Sequence, residues 1–176
     1  MEVSGARSSD RTPLAITLAL VVLLAIVGAH YWWHLSRATA IADHIMVYYT
    51  QPDGTTEASR SVLLGPAHDR SSVAFYAATQ VMAGPPSGVD AVRFPNGTTV
   101  RSVEVTGSNA VVDLSKEVDG LAGGSFRESA TFKSLVWTMT ALPGIKSVGI
   151  RVDGEQVAAI PGGHFELDEP LTRSDW

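Results

Sequence analysis

From Leu14 to Val27 the chain carries no charged side chain, and its apolar character continues through Gly28, Ala29, Tyr31, Trp32 and Trp33. A helix rising about 1.5 Å per residue needs roughly 20 residues to cross a hydrocarbon core, and Leu14 to Trp33 supplies that length. A soluble helix keeps a polar stripe, whereas this segment offers only Thr17 between its ends. Aromatic side chains at one end suit the headgroup level of a bilayer. Residues 13–35 are therefore expected to form a single transmembrane anchor. A secretory signal is the alternative, since Ala38-Thr39-Ala40 has the small-x-small form of a cleavage site. Bulky Tyr31, Trp32 and Trp33 and the charged Arg37 lie between the apolar run and that site. Cleavage after Ala40 stays open, and either reading delivers the remainder across the membrane.

Orientation follows from basic residues near the ends of the segment. Arg7, Arg11 and the amino group precede it, while Arg37 alone follows closely. The expected arrangement is a single-pass protein of the cell membrane, with residues 1–12 as a cytoplasmic tail, 36–43 as a linker and 44–176 as one extracytoplasmic domain. His30 and His34 stand one helical turn apart. Beside Trp32 and Trp33 they read as polar anchors at the interface rather than as a metal pair.

From His44 onward the chain has ten Lys or Arg against fifteen Asp or Glu, a net charge of −5. Nucleic acid is excluded as a partner by this balance, because phosphate binding needs a clustered basic surface. The chain has no cysteine. Disulfides, thiol catalysis, iron–sulfur clusters, Cys-ligated zinc and a lipid-modified cysteine are thereby excluded.

Within the domain, Ile45 to Thr50 is β-branched and aromatic and is followed by turn chemistry at Gln51-Pro52-Asp53-Gly54, so it predicts a strand. Ser59 to Leu64 predicts its partner, ending at Gly65-Pro66. Asp69 stands as an N-cap ahead of an Ala-rich helix from Ser71 to Met82, which Gly84-Pro85-Pro86 ends. Its buried side is ambiguous between Val73, Ala77, Gln80 and Val81 on one face and Phe75, Ala78 and Met82 on another. Alternation around Val103 and Val105, then Ala110, Val112 and Leu114, predicts an antiparallel hairpin turning at Gly107-Ser108-Asn109. Asn96-Gly97-Thr98 matches a glycosylation acceptor, and a short turn explains Asn-Gly equally well.

Phe132, Leu135, Val136, Met139 and Leu142 recur at helical spacing and predict a helix from about Ser125 to Pro143 with one buried face. Arg127, Thr131, Ser134 and Thr138 are expected on its polar side. Trp137 and Met139 read as packing rather than as a cofactor pocket. Val148, Ile150 and Val152 predict a strand turning at Asp153-Gly154, with Gln156 to Ile160 as a candidate return strand and a Gly- and acid-rich tail after it. Strands mixed with two helices predict an α+β fold: a small, mainly antiparallel sheet with two helices packed on one face, preceded by the transmembrane helix. The sheet's other face then carries Arg101, Glu104, Asp113 and Arg151, which form either a solvated surface or a candidate interaction face for another protein.

These elements carry a family resemblance. Ala83-Gly84-Pro85-Pro86, Val111-Val112-Asp113-Leu114-Ser115, Leu142-Pro143-Gly144-Ile145-Lys146-Ser147-Val148, Val152-Asp153-Gly154 and Glu169-Pro170-Leu171-Thr172-Arg173 occur in this order. In order and spacing they resemble the GerM (GerMN) domain, named for a sporulation and spore germination protein, from Ile45 to about Arg173. The resemblance implies a non-enzymatic envelope domain similar to ring-building motifs, which pack a small sheet on two helices and associate side by side. Members are commonly anchored by a lipoprotein signal or by one membrane helix, and some carry two copies. This chain has one copy and no lipidation cysteine. The domain also occurs in envelope lipoproteins associated with sensor kinases, so a general envelope role is the implied transfer.

The residues themselves offer no catalytic constellation. No Gly-x-Ser-x-Gly elbow, Gly-x-Gly-x-x-Gly or P-loop is present. Gly123-Gly124-Ser125 reads as a loop and N-cap. His44, His68 and His164 lie far apart in sequence without metal-ligand spacing. Asp53 and Asp153 precede glycines in turns, and adjacent Asp168 and Glu169 belong to a solvated tail. The expected function is therefore assembly with envelope proteins, or self-association, without enzyme activity, cofactor or metal. The alternative is a ligand-binding or sensing domain for a cell-wall fragment or envelope signal.

Overall fold

A computed structural model of the chain describes residues 21–30, 44–54, 57–64, 69–121 and 124–176. The chain divides into two units, residues 1–40 and residues 41–176. In the first, residues 21–30 are helical. Val21, Val22, Leu23, Leu24, Ile26 and Val27 are all exposed there. Among the described residues no helix is long and apolar enough to cross a membrane. The tail at 1–12, the remainder of the anchor at 13–35 with His34, the linker at 36–43 and the sequence Ala38-Thr39-Ala40 lie outside the described residues. Gly65-Pro66, His68 and Gly123 lie outside them as well.

The second unit is α+β. It comprises β1 (His44–Thr50), β2 (Glu57–Leu63), α1 (Arg70–Met82), β3 (Val100–Thr106), β4 (Asn109–Leu114), α2 (Gly124–Thr140), β5 (Ser147–Val152) and β6 (Glu155–Gln156), with short 3-10 turns at Lys116–Gly120 and Arg173–Asp175. Antiparallel pairing dominates, as the short turn at Gly107-Ser108-Asn109 predicted for its hairpin. The strands nevertheless form two sheets rather than one: a hairpin β1–β2 and a four-stranded sheet in the order β3-β4-β5-β6. β4 and β5 are parallel, Val112 lying opposite Ile150. A parallel pair needs a crossover connection, and α2 supplies it. Alternation within each strand cannot reveal that direction, because it records which side chains face the core and not which way the neighbour runs.

Two tight turns are written in residue type. Thr106 pairs with Asn109 across Gly107-Ser108, with Gly107 at φ 60. Val152 pairs with Glu155 across Asp153-Gly154, where φ is 50 and 88. Positive φ at both central residues is the geometry that Asp-Gly tolerates best. β6 is confined to two residues, and Leu171 takes the next place along that edge of β5, exchanging backbone hydrogen bonds of 2.8 Å with Val148.

Both helices cover the inner face of the four-stranded sheet, where Val103, Val112, Leu114, Val148 and Ile150 are buried. α1 begins at Asp69, whose carboxylate accepts from the Ser72 N–H at 2.9 Å and from the Ser72 hydroxyl. Its buried residues are Val73, Ala74, Ala77, Ala78 and Val81, which resolves the ambiguity in favour of the small side chains. Phe75 is left exposed. In α2 the predicted stripe holds: Phe132, Leu135, Val136 and Met139 have no exposure at all. Each such side chain contributes about 1.5–3 kcal/mol by leaving water.

Of the expected polar side of α2, Arg127 is exposed but the other three residues form a second buried face. Thr131, Ser134 and Thr138 are 1%, 3% and 0% exposed. Ser134 and Thr138 are buried because β1 lies along them. The Tyr48 N–H donates to Thr138 Oγ1 at 2.9 Å, and the Thr50 N–H donates to Ser134 Oγ at 2.9 Å. Four residues of helix rise about 6 Å and two residues of strand about 6.6 Å, so hydroxyls one turn apart meet alternate strand donors. Hydroxyls that looked solvent-facing therefore complete the edge of a strand.

The terminal segment is also packed rather than merely solvated. Ile160, Leu167 and Leu171 are buried, while Asp168 and Glu169 remain exposed. Glu128, only 2% exposed, accepts from the His164 N–H at 2.8 Å and the Phe165 N–H at 3.1 Å. Trp176 Nε1 donates to Ser129 Oγ at 2.6 Å.

Candidate interaction face

The outer face of the four-stranded sheet brings together all four residues expected there. Glu104 lies opposite Val111 and Ser102 opposite Asp113, and Asp113 lies beside Arg151. Paired residues point to one side, and alternate residues of a strand share that side. Glu104, Asp113 and Arg151 thus stand on the face that the helices do not cover. Arg101 sits where the β3–β4 register shifts, and its side chain reaches the same face.

The four do not play one role. Arg101 Nε lies 3.2 Å from Asp113 Oδ2, and its Nη1 lies 2.7 Å from Asp153 Oδ1. Asp113 Oδ1 also accepts from the Gly154 N–H at 2.8 Å. Asp113 is 8% exposed, so this cluster ties β3, β4 and the β5–β6 turn together. Removing Asp113 would take one of two carboxylates from the half-exposed Arg101 guanidinium and the acceptor from the turn. Glu104 and Arg151 form no ion pair among the described residues.

Beside Arg151 the face dips into a cleft of about 130 Å³ bordered by Asn109, Gly149, Gln156 and Asp168. The Ser147 hydroxyl donates to Asn109 Oδ1 at 3.0 Å, and Gln156 Nε2 donates to the Asp168 carbonyl at 2.7 Å. Pockets that enclose small ligands run to roughly 300–1,000 Å³. This cleft is therefore too small to enclose such a ligand.

Among the described residues no group of three His, Cys, Asp or Glu side chains is placed to hold a metal ion. His44, His164 and Ser125 are all exposed and lie on different elements. One functional candidate escaped the sequence reading. Arg173 lies 4.7 Å from the Trp137 ring centroid and 5.5 Å from that of Tyr48, joining the terminal segment to α2 and β1. Residues so distant in sequence leave no spacing signal. Only the Leu171-Thr172-Arg173 motif marked the position at all.

The Germane family, described as sporulation and spore germination, matches residues 46–158. The first GerMN domain of the sporulation protein GerM from Bacillus subtilis is 25% identical with a TM-score of 0.61, over 76% of this chain and 100% of that domain. The tandem GerMN domains of the same protein align at 25% identity and a TM-score of 0.60, over 75% of this chain and 47% of the tandem, so this chain spans about half of it. A proposed lipoprotein from Clostridium perfringens shares the fold at 22% identity and a TM-score of 0.56, covering 75% of this chain and 88% of its own. No curated protein sequence matches the chain.

Proposed function

We propose, on the premise that this chain belongs to the Germane sporulation and spore germination family, that it acts as a non-catalytic assembly module of the bacterial cell envelope. The apolar run from Leu14 to Trp33 tethers it to the membrane with its amino end in the cytoplasm. The domain from residue 44 then works outside the membrane, where it contacts other envelope proteins or further copies of itself. One observation carries this reading. The sheet has an uncovered face whose free charges, Glu104 and Arg151, surround a shallow surface, while Arg101 and Asp113 are committed to holding that surface in shape.

A photo-reactive cross-linker placed at position 104 or 151 of the full chain in cells tests the proposal. A defined envelope protein, or the chain itself, is the expected product. Arg151→Glu should reduce that capture by about tenfold or more while leaving the melting temperature unchanged, since Arg151 supports no buried contact. Equal capture by the parent and Arg151→Glu, or no product from either position, would remove the sheet face as the assembly surface. The sensing alternative draws less from this face, because its cleft of about 130 Å³ is too small to enclose a muropeptide.

A further inference from the structure

The hydroxyls of α2 step along β1 two residues at a time, bonding the N–H of Thr50 and then that of Tyr48. Next in the series is Met46, whose N–H points to the same edge because donors of alternate strand residues do. The helix stops at Thr140. One turn beyond Thr138 the chain has Leu142, which offers no oxygen. Among the described residues nothing accepts from the Met46 N–H on that edge. The strand edge is left open at Met46, beside two positions that the helix hydroxyls close.

That open donor borders a shallow cleft of about 550 Å³ between the start of β1 and the end of α2. Met46, Tyr48, Ala141 and Ile145 make it largely apolar, and Lys146 and Arg173 stand at its rim. Neither cation has a carboxylate partner among the described residues. Arg173 is held in place: its Nε donates to Thr140 Oγ1 at 2.8 Å and its Nη2 to the Trp137 carbonyl at 3.0 Å. Its Nη1 is left to meet a ligand. A guanidinium already fixed in this way loses little freedom on binding. The domain as a whole is acidic, and here two cations stand together beside an open strand edge.

We propose that this cleft binds an extended acidic peptide segment of an envelope protein. The segment adds as a short strand to β1 at Met46, sets apolar side chains on Tyr48 and Ile145, and places a carboxylate between Lys146 and Arg173. The proposal rests on the assembly reading and names the chemistry of one partner, at a surface that shares no residue with the sheet face. An anionic lipid headgroup would engage the cations and leave the backbone donor unmet. Only an extended backbone satisfies both.

The test uses the full chain in dodecylmaltoside micelles with two fluorescein-labelled peptides, Val-Glu-Val-Glu-Val and Val-Lys-Val-Lys-Val, followed by anisotropy. The acidic peptide should bind at least about tenfold more tightly than the basic one, with the difference shrinking as salt rises. Lys146→Glu should remove that preference. Met46→Pro should abolish binding at an unchanged melting temperature, because proline is tolerated where a strand N–H faces away from its partner. Amide exchange at Met46 in the parent should slow when the acidic peptide is added, and this measurement stands even if Met46→Pro does not fold. Equal affinity for the two peptides, unchanged exchange at Met46, or Lys146-dependent binding to phosphatidylglycerol vesicles alone would overturn the proposal. Capture of a partner through Arg151 without any peptide binding would also overturn it, and would leave the assembly reading standing.

Discussion

At Gly163 an added methyl group would lie 2.6 Å from Ile160 Cγ1 and 2.9 Å from Glu128 Oε2. Neither neighbour yields easily, since Ile160 is buried and the carboxylate is held by two backbone donors. Gly163→Ala should therefore lower the unfolding free energy by about 1–3 kcal/mol, measured as a shift in urea midpoint at constant slope. An unchanged midpoint would show that the loop relaxes without cost. Asp69 gives a second test at this scale. The Ser72 hydroxyl, and then the Ser72 N–H, hold its carboxyl below the usual carboxylate range. The unfolded chain therefore takes up the proton first as pH falls. The resulting stabilisation is complete above the unfolded value of about 3.9 and disappears as pH falls through the lower folded value. Parent and Asp69→Ala should differ in melting temperature at pH 7 and converge below about pH 4. A constant difference down to pH 2 would contradict this account.

At the scale of elements, the joint between β1 and α2 rests on two hydroxyls that have no apolar substitute. Thr138→Val keeps the volume and removes the acceptor for the Tyr48 N–H, and Ser134→Ala does the same for Thr50. A buried donor left unmet costs about 1–3 kcal/mol, so each variant should lose that much stability. Amide exchange at Tyr48 and Thr50 should accelerate in the matching variant, while Val112 and Ile150 in the other sheet change only with global stability. Equal acceleration at all four positions would show that the hairpin is not held separately by these bonds.

For the molecule as a whole, the final sixteen residues complete the core that precedes them. Leu167 and Leu171 fill it, Leu171 closes an edge of β5, and Phe165 stacks on Phe132 with centroids 6.0 Å apart. Removing residues 161–176 should replace cooperative unfolding with a broad transition and expose enough apolar surface to bind a hydrophobic dye. A sharp transition near the parent's melting temperature would assign the terminal segment to the surface alone.

Much of this was legible from local chemistry. Asp69 capped a helix where it stood, Asp153-Gly154 turned, and the stripe from Phe132 to Met139 faced the core, because each depends on neighbours within a turn or two of the chain. The burial of Ser134 and Thr138 was illegible, since a hydroxyl looks the same whether water or a distant strand bonds it. The division of Arg101 and Asp113 from Glu104 and Arg151 also needed distances across three strands. The sequence by itself determined the elements, the family and the apolar run that sets where the domain is expected to work. Only the tertiary structure decided the parallel pairing of β4 with β5, the buried hydroxyl seam and the groups left unpaired at the surface. Those depend on contacts between residues far apart in the chain, and periodicity within a single element carries no record of them.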